Sequence, residues 1–493
     1  MTQTSTGTFV EVDTTAGRVR GAWRGEPGGA SASAAFLGIP FAEAPVGELR
    51  FAAPVPKAPW EGVRDALEFG ATAQRGDPGV TLIPEPSVPG DSTLNVNVFT
   101  PTPSTDAALP VLVWIHGGGF FAGSPASLWY DGGRFNRNGV VTVTISYRLG
   151  FDGFGWISDA PSNRGVRDWL LALQWVQENI ASFGGDPSRV TIAGQSAGGG
   201  AVLTLLGMES AQHLFQGVYA ISGALADVTP ERAQKFGREL AAAAGVEPTI
   251  AGFSSLSEDR ILELQKKATE LGPDSLQSMI DEGLGLGPAI DGELLTRSTK
   301  DSLAAGVGAD KPLVIGATDD EFTMAFAEAE KKLRWIPKSL MLKKLGMPKA
   351  KLKPYLAANA DVARKGTARI AGRFLTDQMF RTALIKIVAL RGDAPTWVYR
   401  FSWPSGVFGF AEHCLDVPFF FDCLDSIAIE PLAGPNPPQR LADEVHGGAV
   451  AFITTGEPGW PRYTETERKT RVYDAPSTVV ADGYASVRPL LAG

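Results

Sequence analysis

A chain of 493 residues, 44% apolar and 20% charged, carries ample material for a large core. Its length alone suggests about three domains, a prior that large α/β folds break. A net charge of −9 argues against nucleic acid and against an anionic membrane surface as partners. No basic run is singled out, and the charges are read as a solvated surface. Two cysteines, Cys414 and Cys423, are too few for a disulfide framework and have no CxxC spacing; they read as free buried thiols. The opening residues lack the basic-then-apolar pattern of a signal peptide, and no run of about 18 apolar residues occurs. The expectation is a cytoplasmic protein.

Gly and Pro punctuate the whole chain, so loops are numerous. The stretch from Arg75 to Thr93 reads as a long loop of the kind that walls a site. Short β-branched runs follow: Leu94–Thr100, Val111–Ile115, Val140–Tyr147, Val190–Ala193 and Pro312–Gly316. Each is apolar on both faces, as a helix-covered parallel sheet requires. Between them, Val166–Phe183 places Trp169, Leu170, Leu173, Val176 and Ile180 on one helical face. Alternating strands and helices predict an α/β fold with a mostly parallel central sheet and helices on both sides. One domain over residues 1–493 is expected, with a helix-rich insertion at about 322–400.

The pentapeptide GQSAG, Gly194–Gly198, is the first chemical signal. A G-x-S-x-G pattern arises by chance on the order of 0.4 times in a chain of this composition, so its setting decides. A strand precedes it and an apolar helix follows, which is the nucleophile elbow. Gly194 and Gly198 leave room for a turn too sharp for side chains, and the helix N-terminus faces developing negative charge. Upstream, VLVWIHGGGF sets Gly117–Gly119 after a strand, where glycine N–H groups can receive an oxyanion. A serine nucleophile needs a base, and there are four histidines. His116 adjoins the glycine loop and reads as its brace. His213 and His446 lie in polar, helix-like contexts suited to surface or packing roles. His413 remains. The orienting acid is one of Asp319, Asp320 and Glu321, all directly after a strand; the order serine, acid, histidine fits each of them.

At this point the sequence resembles the type-B carboxylesterases of the α/β-hydrolase fold, in particular their para-nitrobenzyl-esterase-like branch. FLGIPFAEAPVGELRFAAPVP, LNVNVFTP, VLVWIHGGGF, the run from NRGVRDW to GQSAGG, GPAIDGELL, PLVIGATDDE and HCLDVPFFF follow in family order over nearly the whole chain. The resemblance implies a serine esterase acting through an acyl-enzyme. Ser196 is then the nucleophile, Glu321 the acid and His413 the base. The backbone N–H groups of Gly118, Gly119 and Ala197 form the oxyanion hole, and Ser222 supports the triad from behind. Three departures stand out. Gln195 replaces the usual Glu before the nucleophile, which favours neutral over cationic esters. The early family disulfide is missing, as suits a reducing compartment. Phe322 follows Glu321 where Gly is common and reshapes the floor behind the acid.

The expected substrate is a small neutral carboxylic ester, aryl or short-to-medium acyl, with water as the second reactant. No metal or organic cofactor is called for, and neither nucleic acid nor membrane is expected as a partner of what is read as a monomer. Hydrolysis of carbamates, amides or lactones on the same machinery is the alternative chemistry; a non-catalytic adhesion relative is the alternative class. Pocket walls are expected from Arg75–Thr93 and from the helical stretch around Lys331–Leu345.

Overall fold

The computed structural model describes residues 8–491 apart from 80–81, 224, 226, 270–284 and 328. Thirteen strands form one sheet: β1 (Phe9–Asp13), β2 (Arg18–Arg24), β3 (Ser33–Pro40), β4 (Val63–Asp65), β5 (Asn95–Thr100), β6 (Leu109–Ile115), β7 (Val141–Ile145), β8 (Gly185–Gln195), β9 (Gly217–Ile221), β10 (Leu313–Thr318), β11 (Thr396–Phe401), β12 (Lys469–Tyr473) and β13 (Thr478–Ala481). Their order is β1-β2-β3-β5-β7-β6-β8-β9-β10-β11-β12-β13, with β4 beside β2. From β7 to β12 every neighbouring pair is parallel; the flanking pairs are antiparallel except β4, which pairs β2 in parallel. This is the mostly parallel, helix-covered α/β sheet that the strand pattern predicted.

The parallel strands are buried on both faces because their side chains alternate between two cores. In β6, Val111, Val113 and Ile115 enter one core, and Leu112 and Trp114 enter the other. The helices Arg164–Asn179 and Ala197–Leu206 cover the first core; Gln439–Thr455 covers the second. The expected helix Val166–Phe183 is an α-helix to Asn179 that tightens into a 3₁₀ turn over Ile180–Phe183. Ala197–Leu206 is helical despite three glycines, since all ten residues are buried and packing outweighs propensity.

The helix-rich stretch needs one correction. Helices run from Glu330 to Arg391, and the chain then returns to the sheet as β11, inside the expected 322–400 range. The sequence TWVYRF is as strand-like as the central strands and pairs with β10. Among the described residues, no helix is long and apolar enough to cross a membrane.

Connection order fixes where chemistry can occur. β6 lies between β7 and β8, so the chain passes from β6 to β7 on one side and then crosses back to β8 on the other. At such a switch point the loops beyond the carboxyl ends diverge and leave a crevice. The glycine loop follows β6 and Ser196 follows β8, and Ile115 pairs with Gly194 across that boundary.

Candidate active site

Ser196 sits on the tight turn between β8 and the helix Ala197–Leu206, with φ 58° and ψ −120°. An L-residue rarely holds this conformation, and strain of this kind persists only where surroundings enforce it. Those surroundings are backbone. A Cβ on Gly198 would lie 2.0 Å from the Ile115 carbonyl oxygen, and one on Gly194 would meet Gly198 at 2.5 Å. Ser196 N–H donates to Ile221 O at 3.0 Å, and Gly200 N–H donates back to Ser196 O at 2.8 Å. Its neighbours from Val190 to Leu206 are otherwise buried, and Ser196 alone among them is partly exposed.

The glycine loop folds over this turn. A Cβ on Gly117 would come within 3.2 Å of Ser196 Cβ. Gly118 and Gly119 have φ 97° and 63°, in the left-handed region, and the carbonyl of Gly118 accepts from Ala122 N–H at 2.9 Å. Among the described residues, the N–H groups of Gly118, Gly119 and Ala197 donate to no protein acceptor. His116 is buried, stacks on Tyr147 and donates Nδ1–H to Gly117 O at 3.0 Å. Burial pushes it down to about 4, so it is a neutral brace.

The three consecutive carboxylates separate by partner. Asp319 pairs with Arg400 at 2.7 Å and faces Arg373. Burial alone would raise it, but Arg400, Arg373 and Arg381 together hold it at about 2. Asp320 takes Arg373 at 3.2 Å and Arg369 at 3.6 Å. Glu321 is fully buried and turns the other way. Its Oε1 accepts from Ser222 Oγ at 2.6 Å and Thr318 N–H at 2.8 Å, and its Oε2 accepts from Nδ1–H of His413. His413 N–H also donates to Glu321 O at 3.2 Å. The imidazole packs against Phe322 and Phe380, whose ring centroids are each 5.3 Å from it and 5.6 Å from one another. Phe322 thus stacks on His413 and forms its floor.

With Nδ1 carrying the proton toward Glu321, Nε2 presents a lone pair. Gln195 Nε2 donates to it at 3.2 Å, so the residue next to Ser196 is in contact with the imidazole. The other two histidines lie elsewhere. His213 is exposed in a turn rather than a helix. His446, on Gln439–Thr455, is buried and donates Nδ1–H to Phe420 O at 2.8 Å. Cys414 and Cys423 are free and buried, and burial raises both thiols.

Buried acids that polarity alone consigned to the surface flank this arrangement. Glu412 adjoins His413 and is buried; neither of its carboxyl oxygens has a hydrogen-bond partner among the described residues, and burial pushes it up to about 8. Asp416 is raised to about 7 by burial and by nearby Glu321, although Tyr399 OH donates to it at 3.0 Å. Glu85, from the long loop, is raised to about 7 by burial against a hydrogen bond from Tyr130 OH at 2.7 Å. For Glu412 and Asp416, a place within a few residues of His413 was the one available signal; Glu85 had none.

A cavity of about 580 Å³ lies beside the glycine loop and reaches Phe121. The long loop contributes Arg75, Asp77 and Asp91 to its wall. No residue of 331–345 lines it; that stretch packs on the helix Thr367–Thr376. Ser196, Glu321 and His413 do not line it either, and its charges are largely paired, Arg50 with Asp152 and Arg75 with Glu258.

The comparisons agree with this geometry. A model of the carboxylesterase family matches residues 8–484. The para-nitrobenzyl esterase of Bacillus subtilis is 33% identical, over 92% of this chain and 94% of its own. The liver carboxylesterase of Sus scrofa is 31% identical, over 92% and 88%. A solved carboxylesterase of Geobacillus stearothermophilus superposes with a TM-score of 0.82 at 30% identity, covering 97% of this chain and 99% of that one. An elbow serine, a glycine loop and a carboxylate-pinned histidine at the end of one parallel sheet thus occur in a chain that belongs to the carboxylesterase family and is a carboxylic ester hydrolase of the α/β-hydrolase fold.

Proposed function

We propose that this hydrolase works through Ser196, His413 and Glu321. His413 Nε2 takes the hydroxyl proton as Ser196 Oγ bonds to the ester carbonyl carbon. The carbonyl π pair moves onto oxygen, where the N–H groups of Gly118, Gly119 and Ala197 receive it. The carbonyl re-forms, the carbon–oxygen bond to the alcohol breaks, and the leaving oxygen takes the proton back from His413. Water, deprotonated by His413, then attacks the acyl-enzyme and releases acid and Ser196 by the same steps. Glu321 holds the imidazole in the Nδ1–H tautomer and stabilises its cation, with Ser222 fixing the carboxylate.

The observation that carries this reading is the double anchoring of Glu321, one oxygen on Ser222 and Thr318, the other on His413. Its neighbours Asp319 and Asp320 are spent on arginines. Gln195 adds a neutral amide beside the base, which supports neutral esters as the preferred class, acted on in the cytoplasm by a monomer. Ser196→Ala should lower kcat for an aryl ester by at least ~10⁴-fold with unchanged folding. Wild-type turnover in that variant would remove Ser196 from the mechanism.

A further inference from the structure

Nine of the 45 lysines and arginines fall within residues 331–353, a stretch with no Asp or Glu. The whole-chain charge of −9 conceals it. These residues build the short helices Glu330–Leu333 and Lys338–Lys344 and open a third, Lys349–Ala358. Their apolar side chains divide. Leu333 and Met341 turn inward onto Ala368 and Ala371 of the helix Thr367–Thr376, and Leu342 packs with Ile370 and Phe374. Trp335 and Leu340 do the opposite, at 77% and 58% exposed. Trp335 is the most exposed large apolar side chain among the described residues. Lys331, Lys332, Arg334, Lys343 and Lys344 are exposed around the pair. None of these five joins an ion pair among the described residues. The Arg334 guanidinium lies 4.7 Å from the Trp335 ring centroid.

Three kinds of acidic partner could meet such a patch, and its composition separates them. Protein interfaces concentrate Arg and exclude Lys from their centres, whereas eight of these nine cations are Lys. A nucleic acid could stack a base on Trp335 but offers no apolar medium for Leu340. An anionic lipid surface accommodates both. Indole settles at the boundary between headgroups and acyl chains, a leucine enters just below it, and lysines reach the phosphates. The chain's overall negative charge does not prevent this. At physiological salt the Debye length is about 8 Å, so the surface meets only the charges nearest to it.

The position in the fold gives the patch a bearing on the site. Phe322 stacks on His413, the turn Thr323–Phe326 follows, and Phe326 packs with Leu333 and Met341. The wall behind the imidazole and the basic helices are one continuous length of chain. We propose that Trp335 and Leu340, with the exposed cations Lys331, Lys332, Arg334, Lys343 and Lys344 of the same stretch, dock this enzyme peripherally on an anionic lipid surface.

The full-length protein should co-sediment with vesicles of phosphatidylcholine plus phosphatidylglycerol and not with phosphatidylcholine alone, and raised salt should release it. Each lysine lost from the surface should weaken partitioning about 5-fold, so Lys343→Gln with Lys344→Gln should weaken it roughly 25-fold. Trp335→Ser with Leu340→Ser should weaken binding as well and abolish the blue shift of tryptophan emission on vesicle addition. Both double variants should hydrolyse a water-soluble aryl ester at the wild-type rate, which shows that they are folded. The proposal is overturned by absence of sedimentation with anionic vesicles at low salt. It is equally overturned by undiminished binding in both variants, or by salt-sensitive binding to an oligonucleotide or to polyglutamate without binding to vesicles.

Discussion

The turn at Ser196 and the helical stretch 330–353 are built on opposite terms. At the turn, backbone meets backbone: Gly198 faces the Ile115 carbonyl, Gly199 faces Gly223, and Gly117 faces Gln195. No side chain separates them, so nothing can give. In 330–353 the contacts are side chain on side chain along one face, and the other face holds Lys and Trp335 in solvent. A nucleophile held at a strained φ needs the first kind of construction. A surface that meets other molecules can use the second, because small displacements there disturb no bond-making geometry.

The contrast can be tested from its strongest point downward. Glu321→Gln keeps the shape of the acid but lets the imidazole take the wrong tautomer, and kcat should fall about 10⁴-fold at neutral pH. A loss under 10-fold, measured by steady-state kinetics, would break the view that position here is set by chemistry. Gly198→Ala forces a methyl to 2.0 Å from a carbonyl oxygen. It should destabilise the fold by about 3 kcal/mol or more, read as a lower midpoint in chemical denaturation.

Glu412→Gln tests buried charge rather than shape. Its folded carboxyl is raised to about 8, well above an unfolded glutamate. The native state therefore binds the extra proton, and the stability this contributes is complete below the unfolded pKa and lost as pH rises through about 8. Wild-type melting temperature should fall between pH 5 and pH 9, as two further raised carboxyls, Glu85 and Asp416, act in the same direction. Relative to wild type, Glu412→Gln should gain about 2–5 °C at pH 9 and little at pH 5; equal differences at both would sink the assignment. The smallest expected effect is at Gln195. Gln195→Glu places a negative charge beside His413 Nε2. The kcat/KM ratio of a cationic to a matched neutral ester should rise by about 5-fold or less. An unchanged ratio would remove Gln195 from the specificity argument.

Much of the site was legible because its signals are local. An elbow needs glycines at fixed offsets after a strand, and a glycine loop needs the same, so both survive in one dimension. The choice among Asp319, Asp320 and Glu321 was not derivable from spacing, since one short turn holds all three; their sorting partners, Arg373, Arg400 and His413, arrive from 53, 81 and 92 residues away. The resemblance supplied what spacing could not. Burial of Glu85, Glu412 and Asp416 went unread because polarity predicts solvent, and only packing reveals the exception. The packing of His413 against the contacting pair Phe322 and Phe380 also needed the fold, although Phe322 was already conspicuous as a departure. The basic stretch 331–353 was legible all along. Averaging charge over the chain hid it, which is a fault of the statistic rather than of the sequence.

One pair of hydrogen bonds has a mechanical consequence. Ile221 O holds the amide of Ser196, and the next residue, Ser222, holds the carboxylate of Glu321. Ser196 and Glu321 thus hang from Ile221, the last residue of β9, and from Ser222 next to it. A displacement of that strand end would move both anchors together, so β9 serves the two residues as a common mount.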